Sequence, residues 1–210
     1  GFDDPGWRRV KGDVKGAALN GKSLMLASGG MFGHPSMMQA DELKFTLSTQ
    51  QGYGVMRVRL FIDDHKVANR GVPILLMRSG DQLSCGIESE NGNGFDDRGQ
   101  FTVPSGRTVD VRLVVQEKTV EVLVGDVSLQ KLPAPPEKRA GLGIVLELAN
   151  IWGNGERPMT VSNFSARLSS ERIWFPPVDT EARMHSLTVP RFRREELPTH
   201  VLVAGNGDLL

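Results

Sequence analysis

Apolar residues recur at every second position through much of this chain, the spacing of a strand that buries one face. Leu43, Phe45 and Leu47 alternate with Lys44, Thr46 and Ser48, and Val120, Val122 and Val124 alternate with Glu121 and Leu123. The pattern predicts strands over 23–28, 42–49, 55–62, 72–78, 82–88, 109–116, 119–124, 127–132, 143–149 and 159–168. Nowhere does a spacing of three and four persist for the roughly ten residues that a helix needs. Gly80-Asp81 and Gly125-Asp126 fall between strand patterns and predict tight hairpins. The stretch 90–99 (ENGNGFDDRG) is polar and glycine-rich and reads as a loop. About ten short strands with tight turns and no crossover helices predict an all-β fold, an antiparallel sandwich of two sheets.

After Ser170 the texture changes. Ile173-Trp174-Phe175-Pro176-Pro177 is a stiff apolar strap, and Pro177 cannot sit in a central strand. Arg183, Arg191, Arg193 and Arg194 make the next stretch locally basic. From His200 the sequence HVLVAGNGDLL reads as an apolar strand, a turn and two leucines. A lone strand with an open edge is not a stable unit, so this is either the first strand of a following module or an edge strand added to the sandwich. The expected division is a sandwich over 1–170, a Pro/Arg-rich strap or linker over 171–198, and 199–210 as further β structure. Further domains of the same chain are expected after Leu210.

Composition narrows the functions. Lysines and arginines number 25 and aspartates and glutamates 25, so the formal charge is zero. That balance argues against a protein that holds nucleic acid or an anionic membrane by bulk charge. Hydrophobic residues at 39% are enough for a sizeable core. Cys85 is the only cysteine, which excludes an intrachain disulfide and a cysteine-based zinc site. No apolar run approaches the roughly 18 residues of a membrane span, so no membrane insertion is expected. His34, His65, His185 and His200 are scattered without a metal-ligand spacing, and no serine-nucleophile, phosphate-loop or zinc-protease motif occurs.

Several phrases carry a resemblance. The opening FDDPGWRRVKGDV, then LMLASGG, LKFTLST and the final MTVSNFSARL are similar to bacterial secreted domains of the concanavalin A-like lectin/glucanase superfamily. Within that group the sequence resembles the laminin-G-like and 3-keto-disaccharide hydrolase-like jelly rolls. It does so through the VRLVV…TVEVLVGD phrase of Val111–Asp126 and the VSNF of Val161–Phe164. The likeness covers roughly Phe2–Ser170, and its motifs are alternations and turns, which carry a fold rather than a chemistry. It implies a two-sheet jelly-roll sandwich, an extracytoplasmic location (periplasmic, cell-surface or secreted) and a glycan or a surface protein as partner. The chain begins at Gly1 without a signal-like segment, so the targeting signal is expected to lie outside this stretch.

Glycan chemistry is therefore the first question. Laminarinase-like enzymes of this superfamily carry Glu-x-Asp-x-x-Glu on one strand. The nearest string here is Glu88-Ser89-Glu90-Asn91, which lacks the central aspartate and the final glutamate. Leu83, Cys85 and Ile87 should face the core, leaving Ser84, Gly86, Glu88 and Glu90 on the other side. Residues two apart on a strand stand roughly 6.6–6.8 Å apart at Cα, and a retaining pair needs carboxyl groups about 5–5.5 Å apart. Glu88 and Glu90 are thus the candidate catalytic carboxylates of a glycoside-cleaving enzyme of the disaccharide-hydrolase-like type.

Binding residues are the alternative. Arg57 and Arg59 share a face opposite Met56, Val58, Leu60 and Ile62, and Arg112 and Glu147 are set likewise. If their strands neighbour 82–88, one sheet face becomes a lattice of arginine and glutamate. That lattice is either a solvated outer face or a polar floor for a hydroxylated ligand. Trp152, between Asn150 and Asn154 in ANIWGNG, has the composition of a small recognition loop. No cofactor is required by any of this. Calcium is the alternative, with Asp96 and Asp97 in the 90–99 loop as its oxygen donors. Three readings follow: a carbohydrate-binding or interaction domain of a larger bacterial protein, a structural spacer or assembly domain, and the glycoside-cleaving enzyme.

Overall fold

The structure is a computed structural model, and it describes residues 1–11, 17–20, 22–27, 29–49, 53–63, 71–89, 95–103, 108–149 and 158–167. The chain divides after Pro177 into two units, and every described residue lies in the first. The expected strap over 171–198 and the C-terminal strand lie outside the described residues. Those described form β1 (Arg8–Lys11), β2 (Ala17–Asn20), β3 (Ser23–Leu26), β4 (Met31–His34), β5 (Glu42–Thr49), β6 (Tyr53–Ile62) and β7 (Val72–Ser79). Then come β8 (Gln82–Glu88), β9 (Phe95–Thr102), β10 (Thr108–Val115), β11 (Thr119–Val124), β12 (Val127–Pro133), β13 (Gly143–Leu148) and β14 (Met159–Arg167). Short 3-10 turns at Met37–Gln39 and Pro136–Lys138 are the only helical segments among the described residues.

Two seven-stranded antiparallel sheets face each other. The first runs β1-β4-β13-β6-β7-β8-β9 and the second β12-β11-β10-β5-β14-β3-β2. Alternation puts one side of the central strands of both sheets into a shared core. Leu43, Phe45 and Leu47 of β5 and Val111 and Leu113 of β10 enter it from the second sheet, and Met56, Val58 and Leu60 of β6 enter it from the first. Each side chain of this size contributes roughly 1.5–3 kcal/mol when fully buried. The hairpins at Gly80 (φ +61°) and Gly125 (φ +58°) form as expected, with glycine supplying the left-handed backbone of a tight turn.

Three features depart from the sequence expectation. The stretch 90–99 is not wholly a loop, because Phe95–Thr102 is strand β9, paired antiparallel with β8. It is an edge strand with exposed Asp96 and Gln100, so its pairing comes from backbone bonds that leave no apolar alternation to read. The four-residue strands β1, β2 and β4 are too short for a period to register. Finally, Ile62 does not share the face of Leu60. In the ladder Gly143 pairs with Ile62 and Ile144 with Leu60, so Phe61 is an extra residue. With φ at +60° it takes the core position itself and turns Ile62 to the other face, against Val145. The Phe61 carbonyl accepts the N–H groups of Ala140 and Gly141, both at 3.0 Å, and the Arg139 guanidinium lies 4.6 Å over its ring.

Candidate functional site

The site is built on the side of the first sheet that turns away from the shared core. On β6 the alternation that sends Met56, Val58 and Leu60 inward leaves Arg57 and Arg59 on this side. Glu147 of β13 stands opposite Arg57 in the ladder, and Val145 stands opposite Arg59. On the other flank of β6, Leu75 and Pro73 of β7 face the same two arginines. Glu88 comes from the end of β8, whose Leu83 and Cys85 point into the core. Four charged side chains from three strands thus converge.

Arg57 is their hub. It donates to Glu88 twice, from Nε to Oε2 at 2.8 Å and from Nη2 to Oε1. Its Nη1 lies 2.7 Å from Oε2 of Glu147, an ion pair without hydrogen-bond alignment. Arg59 is less well served. Its Nη2 reaches Oε2 of Glu88 only at 3.4 Å, and its buried Nε has no acceptor among the described residues. Burial opposes the charge on Arg57, but the hydrogen bond to Glu88 and the charge of Glu147 outweigh it, and the group is held above the ordinary arginine value. Arg59 goes the other way, depressed first by burial and then by the charge of Arg57, which Glu88 and Glu147 offset only in part.

This is not a solvated charge lattice. Side-chain exposures are 13% for Arg57, 12% for Arg59, 9% for Glu88 and 12% for Glu147. Apolar side chains flank the charges on both sides. Tyr53, Val55, Leu75, Met77 and Ala149 pack together at one end, and Val10, Met31, Ile62 and Val145 at the other. Convergent polar groups beside packed apolar side chains are the residue types that ligand sites combine. These flanks were missing from the sequence reading. Their signal was the unbroken apolar run VPILLM of β7, the mark of a strand buried on both faces.

The other expected residues fall elsewhere. Arg112 lies on β10 in the second sheet, beside Lys44 and Leu123 in the ladder and 3.9 Å from Asp126, so it takes no part in the cluster. Its alternation is right and its sheet is wrong, because periodicity fixes a face but not a neighbour. Asp96 and Asp97 sit on β9 rather than in a loop, with Asp96 exposed. Among the described residues no three His, Cys, Asp or Glu side chains gather as a metal group would. Glu90, Asn150, Trp152 and Asn154 lie outside the described residues.

A second polar cluster ties down the N-terminal segment. His34 of β4 has Nε2 3.1 Å from Oδ1 of Asp4, while its Nδ1 accepts the Ser36 N–H at 3.2 Å. Trp7 packs edge-on against the His34 ring and joins Phe2, Phe32 and Phe164 in the core. The Gly6 N–H donates to Asp4 at 2.7 Å, and this bond, followed by that of His34, holds the Asp4 carboxyl below its usual range.

The carbohydrate-binding module CBM66 from Bacillus subtilis aligns with a TM-score of 0.50 at 11% identity, over 76% of this chain and 93% of that one. The laminarinase from Rhodothermus marinus aligns at 0.51 and 10% identity, over 78% and 92%. The laminarinase catalytic domain from Thermotoga maritima gives 0.52 and 10%, over 77% and 91%. The fold is the concanavalin A-like jelly roll. At these identities the likeness to these structures is one of fold, and the chemistry rests on this chain's own residues. No protein-family model matches the chain, and no curated protein matches it. Among the described residues no helix is long and apolar enough to cross a membrane.

Proposed function

We propose that this domain binds a saccharide on the outer face of its first sheet, as an extracytoplasmic module of a larger protein. One observation carries the reading: Arg57, Arg59, Glu88 and Glu147 converge between two apolar flanks. Sugar hydroxyls both donate and accept, and a mixed set of guanidinium donors and carboxylate acceptors answers both. The superposed carbohydrate-binding module and laminarinases, whose names place them in polysaccharide chemistry, support the same direction.

Binding is favoured over cleavage by the state of Glu88. A glycosidase acid donates a proton to the leaving oxygen, whereas both oxygens of Glu88 accept from Arg57. Trp152, with Asn150 and Asn154, is the proposed recognition loop, and Asp96 with Asp97 the proposed calcium donors.

A glycan panel, run with calcium and again with chelator, tests this. The expected result is binding that Glu147→Gln weakens by roughly tenfold, the worth of one charged hydrogen bond, in a variant whose circular dichroism is unchanged. A blank across the panel up to millimolar sugar overturns the reading and leaves the spacer function.

A further inference from the structure

Resting on the saccharide reading, the structure carries one step more, because the four charges are not evenly matched. Both carboxylates lie on Arg57: Glu88 through two N–H groups and Glu147 through Nη1. Among the described residues Arg59 has only the 3.4 Å contact to an oxygen that already accepts from Arg57 Nε. Charged N–H···O bonds of full strength run at about 2.7–2.9 Å. Its ladder neighbours offer no side-chain acceptor, since Val145 stands on one side and Pro73 on the other. Its Nε–H is buried without a partner among the described residues. Leaving a buried donor of a charged group unmade is costly, and the adjoining charge of Arg57 adds to the strain on this cation.

We infer that Arg59 is the seat of a ligand carboxylate, so that the saccharide bound here is an acidic one, built of uronic acid residues. A guanidinium offers its N–H groups in a planar fork that matches a carboxylate. Glu88 and Glu147 remain as acceptors for hydroxyl protons on the same ring. A hydroxylated ring that bears a carboxylate uses both kinds of group; a neutral sugar leaves the Arg59 fork half met.

The test compares an oligosaccharide of uronic acid residues with the same oligosaccharide after reduction of its carboxylates to primary alcohols, titrated calorimetrically against the unaltered protein. The expected result is at least a roughly tenfold preference for the acidic form, weakening as salt is raised. Arg59→Gln should bring the two forms to within a factor of about two to three. Equal binding of both forms by the unaltered protein overturns the acidic-sugar inference while leaving the saccharide site standing. Binding of neither form, together with a blank glycan panel, overturns both. Acidic preference that survives Arg59→Gln removes Arg59 as the seat of the carboxylate.

Discussion

A guanidinium that meets two carboxylates at once does different work from one in a surface pair. Exposed pairs are worth about 0–1 kcal/mol, but Arg57 and its partners are roughly nine-tenths buried, where losing the cation would strand two anions. That Arg57 and Arg59 share a face was legible from the alternation of Met56, Val58 and Leu60. That Glu88 and Glu147 would be the partners, and that one arginine would take both, was not. Rotamers and burial decide such things, and neither is written in a period of two. The same scale governs the N-terminal segment. Asp4 has its folded pKa held below the ordinary aspartate value of 3.8 by the Gly6 N–H and by His34. Its contribution to stability is therefore fully present above pH 3.8 and is lost as pH falls through the lower folded value. Unfolding midpoints measured across the acid range should show the parent protein losing stability below that pH faster than Asp4→Asn. Parallel profiles would show that Asp4 adds nothing.

The expected bounds of β5, β8 and β11 agree with those observed. On β5 buried and more exposed positions alternate throughout, whereas β8 is buried at four successive positions, from Leu83 to Gly86, and β11 at its last three. Bulges were invisible. At Asn163, with φ at +52°, β14 shifts register against β5 so that Phe164 reaches the core beside Phe45 and Trp7. Asparagine tolerates that backbone better than most residues, yet nothing in MTVSNFSARL announces it. Edge strand β9 also escaped the pattern, and its fit depends on one glycine. A Cβ added at Gly99 would stand 2.8 Å from the carbonyl oxygen of Leu129 on β12. Backbone cannot yield as a side-chain tip can, so Gly99→Ala should destabilise the domain by about 1–3 kcal/mol, the usual cost of overpacking. Chemical denaturation would measure it, and an unchanged midpoint would mean that β9 and β12 separate freely.

At the scale of the molecule, the two sheets have one core between them. Leu43 of the second sheet and Ile74 of the first are both fully buried in the same cluster. Leu43→Ala and Ile74→Ala should each cost about 2–5 kcal/mol and move one common β-sheet transition by circular dichroism. A melt in two steps, with each variant shifting only its own step, would show that the sheets are stabilised separately.

The sequence by itself determined that the described part of this chain is all-β, where most of its strands run, and which side of each strand is apolar. Those follow from local chemistry: a two-residue period is a property of a few neighbours, and so is a glycine turn. It also put Arg57, Arg59, Arg112 and Glu147 each on the polar side of a strand. Only the tertiary structure decided that Arg112 belongs to the other sheet, that Glu88, 31 positions along the chain from Arg57, is its partner, and that the cluster is buried. The reason is physical. Alternation says which way a side chain points, but its neighbours across the sheet are set by how every strand closes the shared core.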